Sequence, residues 1–263
     1  MKIPVVTLCL AFLVATPVLA QADDIAARSI PDKEAKVLVS DFKKQIKASK
    51  KSLRGRLEAV QTLGRHKNNL LVRPLLTVAK SDKAKTVRQE AVKALGKQPS
   101  KRARPTLTNL LNKSSIMKEP AMTAAIVRAI SNNCYDSRDW NKFQKMFNQA
   151  ETNNKAVDAQ RAILEAAGKH KEVDAIRLLV DNIDPPQPAW VDDPSNPPAS
   201  YWEARYKNWR KWNTQVASSL YQITGQRFGT AKEARAWMKK NLKKLQKSVK
   251  EEKSKKRGKK KGK

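Results

Sequence analysis

Apolar positions along this chain recur in pairs of helical stretches. Arg56–Gly64 reads RLEAVQTLG and Arg88–Gly96 reads RQEAVKALG; they start thirty-two residues apart and share Arg, Glu, Ala, Val, Leu and Gly. Leu57, Val60 and Leu63 in the first, and Val92 and Leu95 in the second, fall on one helical face. A second apolar stretch follows each. The first is LLVRPLLTVAK, with Leu71, Leu75, Leu76 and Val78, and the second is RPTLTNLLNK. Pro74 and Pro105 stand ten and nine residues after the glycines, which predicts that both lie in a first helical turn, where a missing N–H is tolerated. Weaker copies begin at Thr123 (TAAIVRAIS) and Gln160 (QRAILEAAG), giving periods of 32, 35 and 37 residues. Their apolar faces are Ile126, Val127 and Ile130, then Trp140, Phe143 and Phe147; and Ile163 and Leu164, then Ile176, Leu179 and Val180. Repeats of this length predict an all-α, right-handed solenoid of helical pairs, each burying its apolar side on the next. The glycine closing each first helix is expected in the left-handed conformation of a helix end.

The flanks read differently. Lys2, the apolar run Val5–Val14 and the helix-breaking Pro17 form a signal peptide over residues 1–20, with small-residue cleavage sites after Ala20 and Ala22. The run is shorter than the ~20 residues that span a bilayer, so the mature chain is expected to be exported, periplasmic or extracellular, without a transmembrane segment. Residues 21–31 are expected as a flexible entry. From Asp32 a helix with Val37, Val39, Phe42 and Ile46 on its apolar face should cover the open end of a solenoid spanning 32–184. Residues 185–199 hold six prolines and predict a stiff connector. Residues 200–244 are expected as an aromatic-rich helical module. Its capping boxes would be Ser200–Glu203 and Thr230–Glu233, and Trp202, Tyr206, Trp209 and Trp212 run into Val216, Leu220 and Ile223. A stripe that ends in plain aliphatics reads as core more readily than as a stacking platform for bases or sugars, and Trp190 in the connector is the better candidate for an exposed ring. Residues 245–263 have almost nothing apolar to bury and are expected to be disordered.

The A-V-x-x-L-G helix ends and R-P-x-L helix starts over roughly residues 50–184 resemble the HEAT-repeat family, including the short repeats of phycobilisome-lyase type. The segment ITGQRFGTAKEARAWMKKN is similar to one that follows HEAT repeats in exported proteins of planctomycete-type bacteria. The resemblance implies an α-solenoid used as a protein or ligand scaffold, and it carries no catalytic residue or cofactor to this chain.

Charge narrows the function. The net charge is +31, of which +17 falls in residues 33–113 and +12 in 239–263, while 114–199 carry −2. An evenly solvated surface would not partition this way, and the pattern points to an anionic partner. The candidate contacts are Arg56, Arg65, Lys67, Arg88, Lys93, Lys97, Lys101, Arg102 and Arg104 in the solenoid. In the tail they are Lys255, Lys256, Arg257, Lys259, Lys260 and Lys261. In an exported protein the partner class is an envelope glycan, a lipid headgroup or an acidic protein, with nucleic acid as a test polymer in vitro. The alternative is a protein–protein adaptor that uses the neutral second half.

Catalysis finds little to work with. No phosphate-binding loop, nucleophile elbow or paired zinc cysteines occur. His66 and His170 occupy the same turn in different repeats without thiolate or carboxylate companions at ligand spacing, so no metal is expected. As cations they would offset a helix C-terminal dipole. Cys134 is the one cysteine after the signal segment and lacks a neighbouring base. An enzyme or enzyme subunit is the distant third reading.

Overall fold

The computed structural model describes residues 26–188 and 193–261, with backbone only for Ser114, Met117 and 252–261. The signal segment and Trp190 lie outside the described residues. Helices dominate: α1 (Asp32–Ala48), α2 (Leu53–Gly64), α3 (Val72–Ser81), α4 (Lys85–Gly96), α5 (Ser100–Leu111) and the single turn α6 (Ser114–Met117). They continue as α7 (Pro120–Asn133), α8 (Trp140–Gln149), α9 (Val157–Lys169), α10 (Ile176–Val180), α11 (Ala199–Thr224) and α12 (Ala231–Lys261). Two short strands, β1 (Arg28–Ser29) and β2 (His66–Lys67), pair in parallel.

The helices form two layers. An inner layer stacks α2 on α4, α4 on α7, α7 on α9 and α9 on α11, while α3, α5, α8 and α10 form the outer layer. The core lies between them. On α4, Val87, Ala91, Val92, Ala94 and Leu95 are all buried, and the outer layer answers with Leu71, Leu75 and Val78, with Leu107, Leu110 and Leu111, and with Trp140, Phe143 and Phe147. Those apolar sets are nearly the ones the periodicity selects. An exception is Val37, 59% exposed, because Ala35 and Phe42 are the buried residues of α1.

The glycines of the inner helices do not take the left-handed conformation. Among described residues the one glycine with positive φ is Gly225, which ends α11 at φ +72°. Gly64, Gly96 and Gly168 lie within their helices, where neighbouring helices come closest. A Cβ on Gly64 would stand 2.8 Å from the Ala94 Cβ, and one on Gly96 would stand 2.9 Å from the Ala129 Cβ and 3.0 Å from its Cα. A Cβ on Gly168 would meet Ser219 at 2.9 Å. The repeated glycine is therefore a contact residue between successive inner helices, used for close backbone approach.

Other elements depart from expectation. Residues 26–31 are not a loose entry: the Arg28 N–H donates to the Arg65 carbonyl at 2.9 Å, and Ile30 is buried. Pro105 sits mid-helix because α5 starts one turn earlier, directly after Pro99. Helix α11 starts at Ala199 with no side-chain cap, so the Ser200 box does not form. At Thr230 the hydroxyl accepts from the Glu233 N–H, and the Glu233 carboxylate accepts from Gly229. Helix α11 also packs on α9 as α9 packs on α7, extending the inner layer in place of opening a separate unit. Trp212, Val216, Leu220 and Ile223 are buried there, and the Ser219 hydroxyl donates to the Leu164 carbonyl at 2.7 Å. Finally, α12 runs on through Lys261, where the sequence predicts disorder from residue 245. Leu245 and Val249 carry its apolar stripe from Leu242 against the core, and lysine is a good helix former.

Candidate functional site

Three inner helices, α2, α4 and α7, line a groove of about 580 Å³. Its floor is small or aliphatic (Leu57, Gly96, Ala125, Ala129), and its walls carry Gln61, Gln89, Glu90, Lys93, Lys97, Arg128 and Asn132. Lys93 is exposed and Lys97 half-buried. Arg128 is bound to its neighbour helix: its guanidinium donates to both oxygens of Asp158 at 2.6 and 3.0 Å and stands 3.5 Å from Glu165. The Asp158 hydrogen bond pulls the Arg128 pKa further up, and the same bond holds Asp158 below the usual carboxylate range.

Three of the candidate arginines are not on this surface. Arg56 is 7% exposed. Its Nε donates to Asp82 at 2.9 Å, and its Nη1 donates to the carbonyls of Lys50 and Ser52 at 2.9 and 3.3 Å. Arg88 pairs with Glu119 and donates to the Asp82 carbonyl at 2.9 Å. Arg104 donates to Asp139 at 2.8 Å and to the Cys134 carbonyl at 3.2 Å. Arg56 and Arg88 hold the loop that leads into the next repeat and Arg104 holds the turn between α7 and α8, so the charge of each is satisfied within the fold. At the matching position, the Thr123 hydroxyl donates to the Ile116 carbonyl at 3.2 Å, and the Gln160 amide donates to the Phe147 carbonyl at 3.3 Å. One register position thus donates to a backbone carbonyl of the segment before its own helix in all four repeats, through two arginines, a threonine and a glutamine.

Arg65, Lys101 and Arg102 are exposed and Lys67 half-buried. Lys255, Lys256, Arg257, Lys259, Lys260 and Lys261 lie on the last turns of α12, where only the backbone is described. The turns that carry the first group are cross-linked along one edge. Gln98 donates to the His66 carbonyl at 2.9 Å and accepts from the Asn68 N–H at 3.1 Å, and Asn133 donates to the Gln98 carbonyl at 2.6 Å. Lys169 donates to Asn132 at 2.7 Å.

His170 belongs to this ladder but not as a dipole-offsetting cation. Its Nε2 lies 2.8 Å from the Ser131 carbonyl, and its ring stacks on Tyr135 at 4.1 Å. Burial lowers its pKa, which favours the neutral imidazole. Cys134 is 9% exposed, and burial pushes its thiol up to about 11, far from a thiolate nucleophile at neutral pH. Among the described residues no cluster of three metal-ligating side chains occurs, and no helix is long and apolar enough to cross a membrane.

Sequence reasoning missed the inter-repeat ion pairs and the groove. The signal for two of the pairs was present: Asp82 and Glu119 each sit in the loop beyond the arginine's own helical pair, whereas Asp139, the partner of Arg104, lies in the turn before α8. The groove has no linear signature, because its walls come from helices a full repeat apart. No curated protein and no solved structure matches the chain significantly. The family model for HEAT repeats matches residues 42–125, from within α1 to the start of α7, so this part of the chain is similar to HEAT repeats.

Proposed function

We propose that this chain is an exported, non-catalytic HEAT-type scaffold that holds an anionic envelope partner along the first repeats and the lysine-rich end of α12. In this reading, cleavage after Ala20 or Ala22 leaves a periplasmic or extracellular protein with a right-handed superhelix, and the partner is an acidic protein surface, a glycan or a lipid headgroup. The observation that carries the proposal is the charge distribution over the inner groove and its edge. Lys93 and Lys97 stand in the groove wall, and Arg65, Lys101 and Arg102 follow on the adjoining turns, while Arg56, Arg88 and Arg104 are neutralised inside. The HEAT-repeat match supports a protein-binding scaffold, since stacked helical pairs present extended surfaces of this kind.

The test is a salt titration with a polyanion. With duplex DNA as the probe polymer, log affinity should fall linearly with log salt, by ~0.9 for each phosphate neutralised. Deleting residues 250–263, which carry nine basic and two acidic side chains, should make that slope shallower by several units and leave measurable binding. Reversing Arg65, Lys67, Lys93, Lys97, Lys101 and Arg102 to glutamate in the shortened chain should abolish what remains. Complete loss on truncation alone would refute the role of the repeats, and salt-independent binding would favour the adaptor reading.

A further inference from the structure

The outer layer carries a second groove, of about 580 Å³, between α1 and the start of α3. It is lined by Lys36, Val39, Lys43, Leu70, Arg73, Pro74 and Thr77. Lys36, Val39 and Lys43 follow at i, i+3 and i+7 and so share one face of α1. Arg73 and Pro74 open the first turn of α3, and Leu70 lies in the short turn just before it. No acidic side chain lines the groove, and among the described residues Lys36, Lys43 and Arg73 form no ion pair. Their behaviour differs from that of Arg56, Arg88 and Arg104, whose carboxylate partners lie in neighbouring loops. The floor is apolar: Leu70 is 38% exposed, Val39 is half-buried, and Pro74 adds its ring.

We propose that this groove binds an acidic peptide segment that carries aliphatic side chains, with the aliphatic groups on Val39, Leu70 and Pro74 and the carboxylates paired to Lys36, Lys43 and Arg73. Two features select this occupant. An apolar floor ringed by charge is the arrangement of a protein–protein contact, and a plain polyanion would leave that floor unused. The recess also lies between two helices, so a flat bilayer surface would meet the lysine tips without reaching Leu70. The site does not depend on the inner groove, because it shares no residue with it and lies on the other layer.

The experiment measures binding of a fluorescein-labelled peptide of Glu-Glu-Leu repeats to the full chain by anisotropy. The groove variant is Lys36→Glu/Lys43→Glu/Arg73→Glu. Its charge-matched control is Lys83→Glu/Lys85→Glu/Lys113→Glu, at exposed positions outside both grooves. The groove variant should lose about tenfold or more in affinity and the control about twofold or less, since a rim charge acts mainly through the general field. Leu70→Ser, which changes no charge, should cost about threefold to fivefold from lost apolar burial. A neutral Lys36→Gln/Lys43→Gln/Arg73→Gln variant should fall between groove variant and wild type. Equal losses in the groove and control variants would overturn the proposal, because bulk charge would then account for binding. So would unchanged binding by Leu70→Ser together with equal binding of a Glu-Glu-Ser peptide. A groove variant that keeps the peptide but releases anionic phosphatidylglycerol vesicles would overturn it in favour of a membrane-facing patch.

Discussion

Gly64→Ala tests whether the repeated glycine is a contact between inner helices or an ordinary helix end. At an unhindered helical position alanine stabilises over glycine by ~0.8–1.0 kcal/mol. Here the new Cβ would stand 2.8 Å from the Ala94 Cβ, while the Ala94 Cα is 3.5 Å away. A methyl group on a rigid helix cannot swing aside, so α2 and α4 must separate by several tenths of an ångström. Overpacking of this kind costs about 1–3 kcal/mol. The net effect expected for Gly64→Ala is a loss of about 0–2 kcal/mol, with the propensity gain subtracted from the overpacking cost. Ala94→Gly should lose about 1–2 kcal/mol on its own, from helix propensity and one buried methyl. In the double variant the clash disappears, because the remaining contact is an ordinary one. The cycle should therefore show a favourable coupling of about 1 kcal/mol or more. Gly96/Ala129 gives a built-in contrast. A Cβ on Gly96 would still stand 3.0 Å from the Ala129 Cα and 3.4 Å from its carbonyl oxygen after the methyl is removed, so rescue there should be partial. Chemical denaturation followed by far-UV circular dichroism measures all six variants. Stabilisation by Gly64→Ala, with zero coupling to position 94, would refute the close-contact role.

Three further outcomes follow from the packing. Arg56→Ala should destabilise by about 3–5 kcal/mol, because it leaves Asp82 with an uncompensated buried charge; Arg65→Ala, at an exposed position, should cost under ~0.5 kcal/mol, and equal losses in denaturation would contradict the division between internal and displayed arginines. His170, with a folded pKa held below its ordinary 6.5, binds fewer protons folded than unfolded. Its contribution to stability is full above pH 6.5 and is lost as pH falls through the folded value; His170→Gln should flatten that acidic limb of the stability profile, and an unaltered limb would count against it. The Cys134 thiol, pushed up to about 11 by burial, should react slowly with iodoacetamide at pH 8 in the native protein and rapidly in denaturant, as read by intact mass.

The repeats were legible in the sequence because burial in a two-layer stack is written locally. A residue and its neighbours three and four positions away share a face, so Val92 and Leu95, or Trp140, Phe143 and Phe147, announce a buried stripe without knowledge of the partner. The same logic made the stripe from Trp202 to Ile223 readable as core, which holds from Trp212 onward, while Tyr206 is 42% exposed and Trp202 and Trp209 are half-buried. It failed where local pattern and tertiary contact part. Leu245 and Val249 look sparse in a lysine-rich run, yet both lie on α12 and pack against the core. The fate of each cation was outside the reach of sequence. Arg56 and Arg65 are the same residue type nine positions apart, but Asp82 stands opposite one and solvent opposite the other, and that partner lies 26 residues away in the chain. The glycine shows the same division. Its recurrence at 64, 96 and 168 is plain in the sequence, whereas its reason, a neighbouring helix too near to admit a methyl group, exists only when the inner helices are stacked.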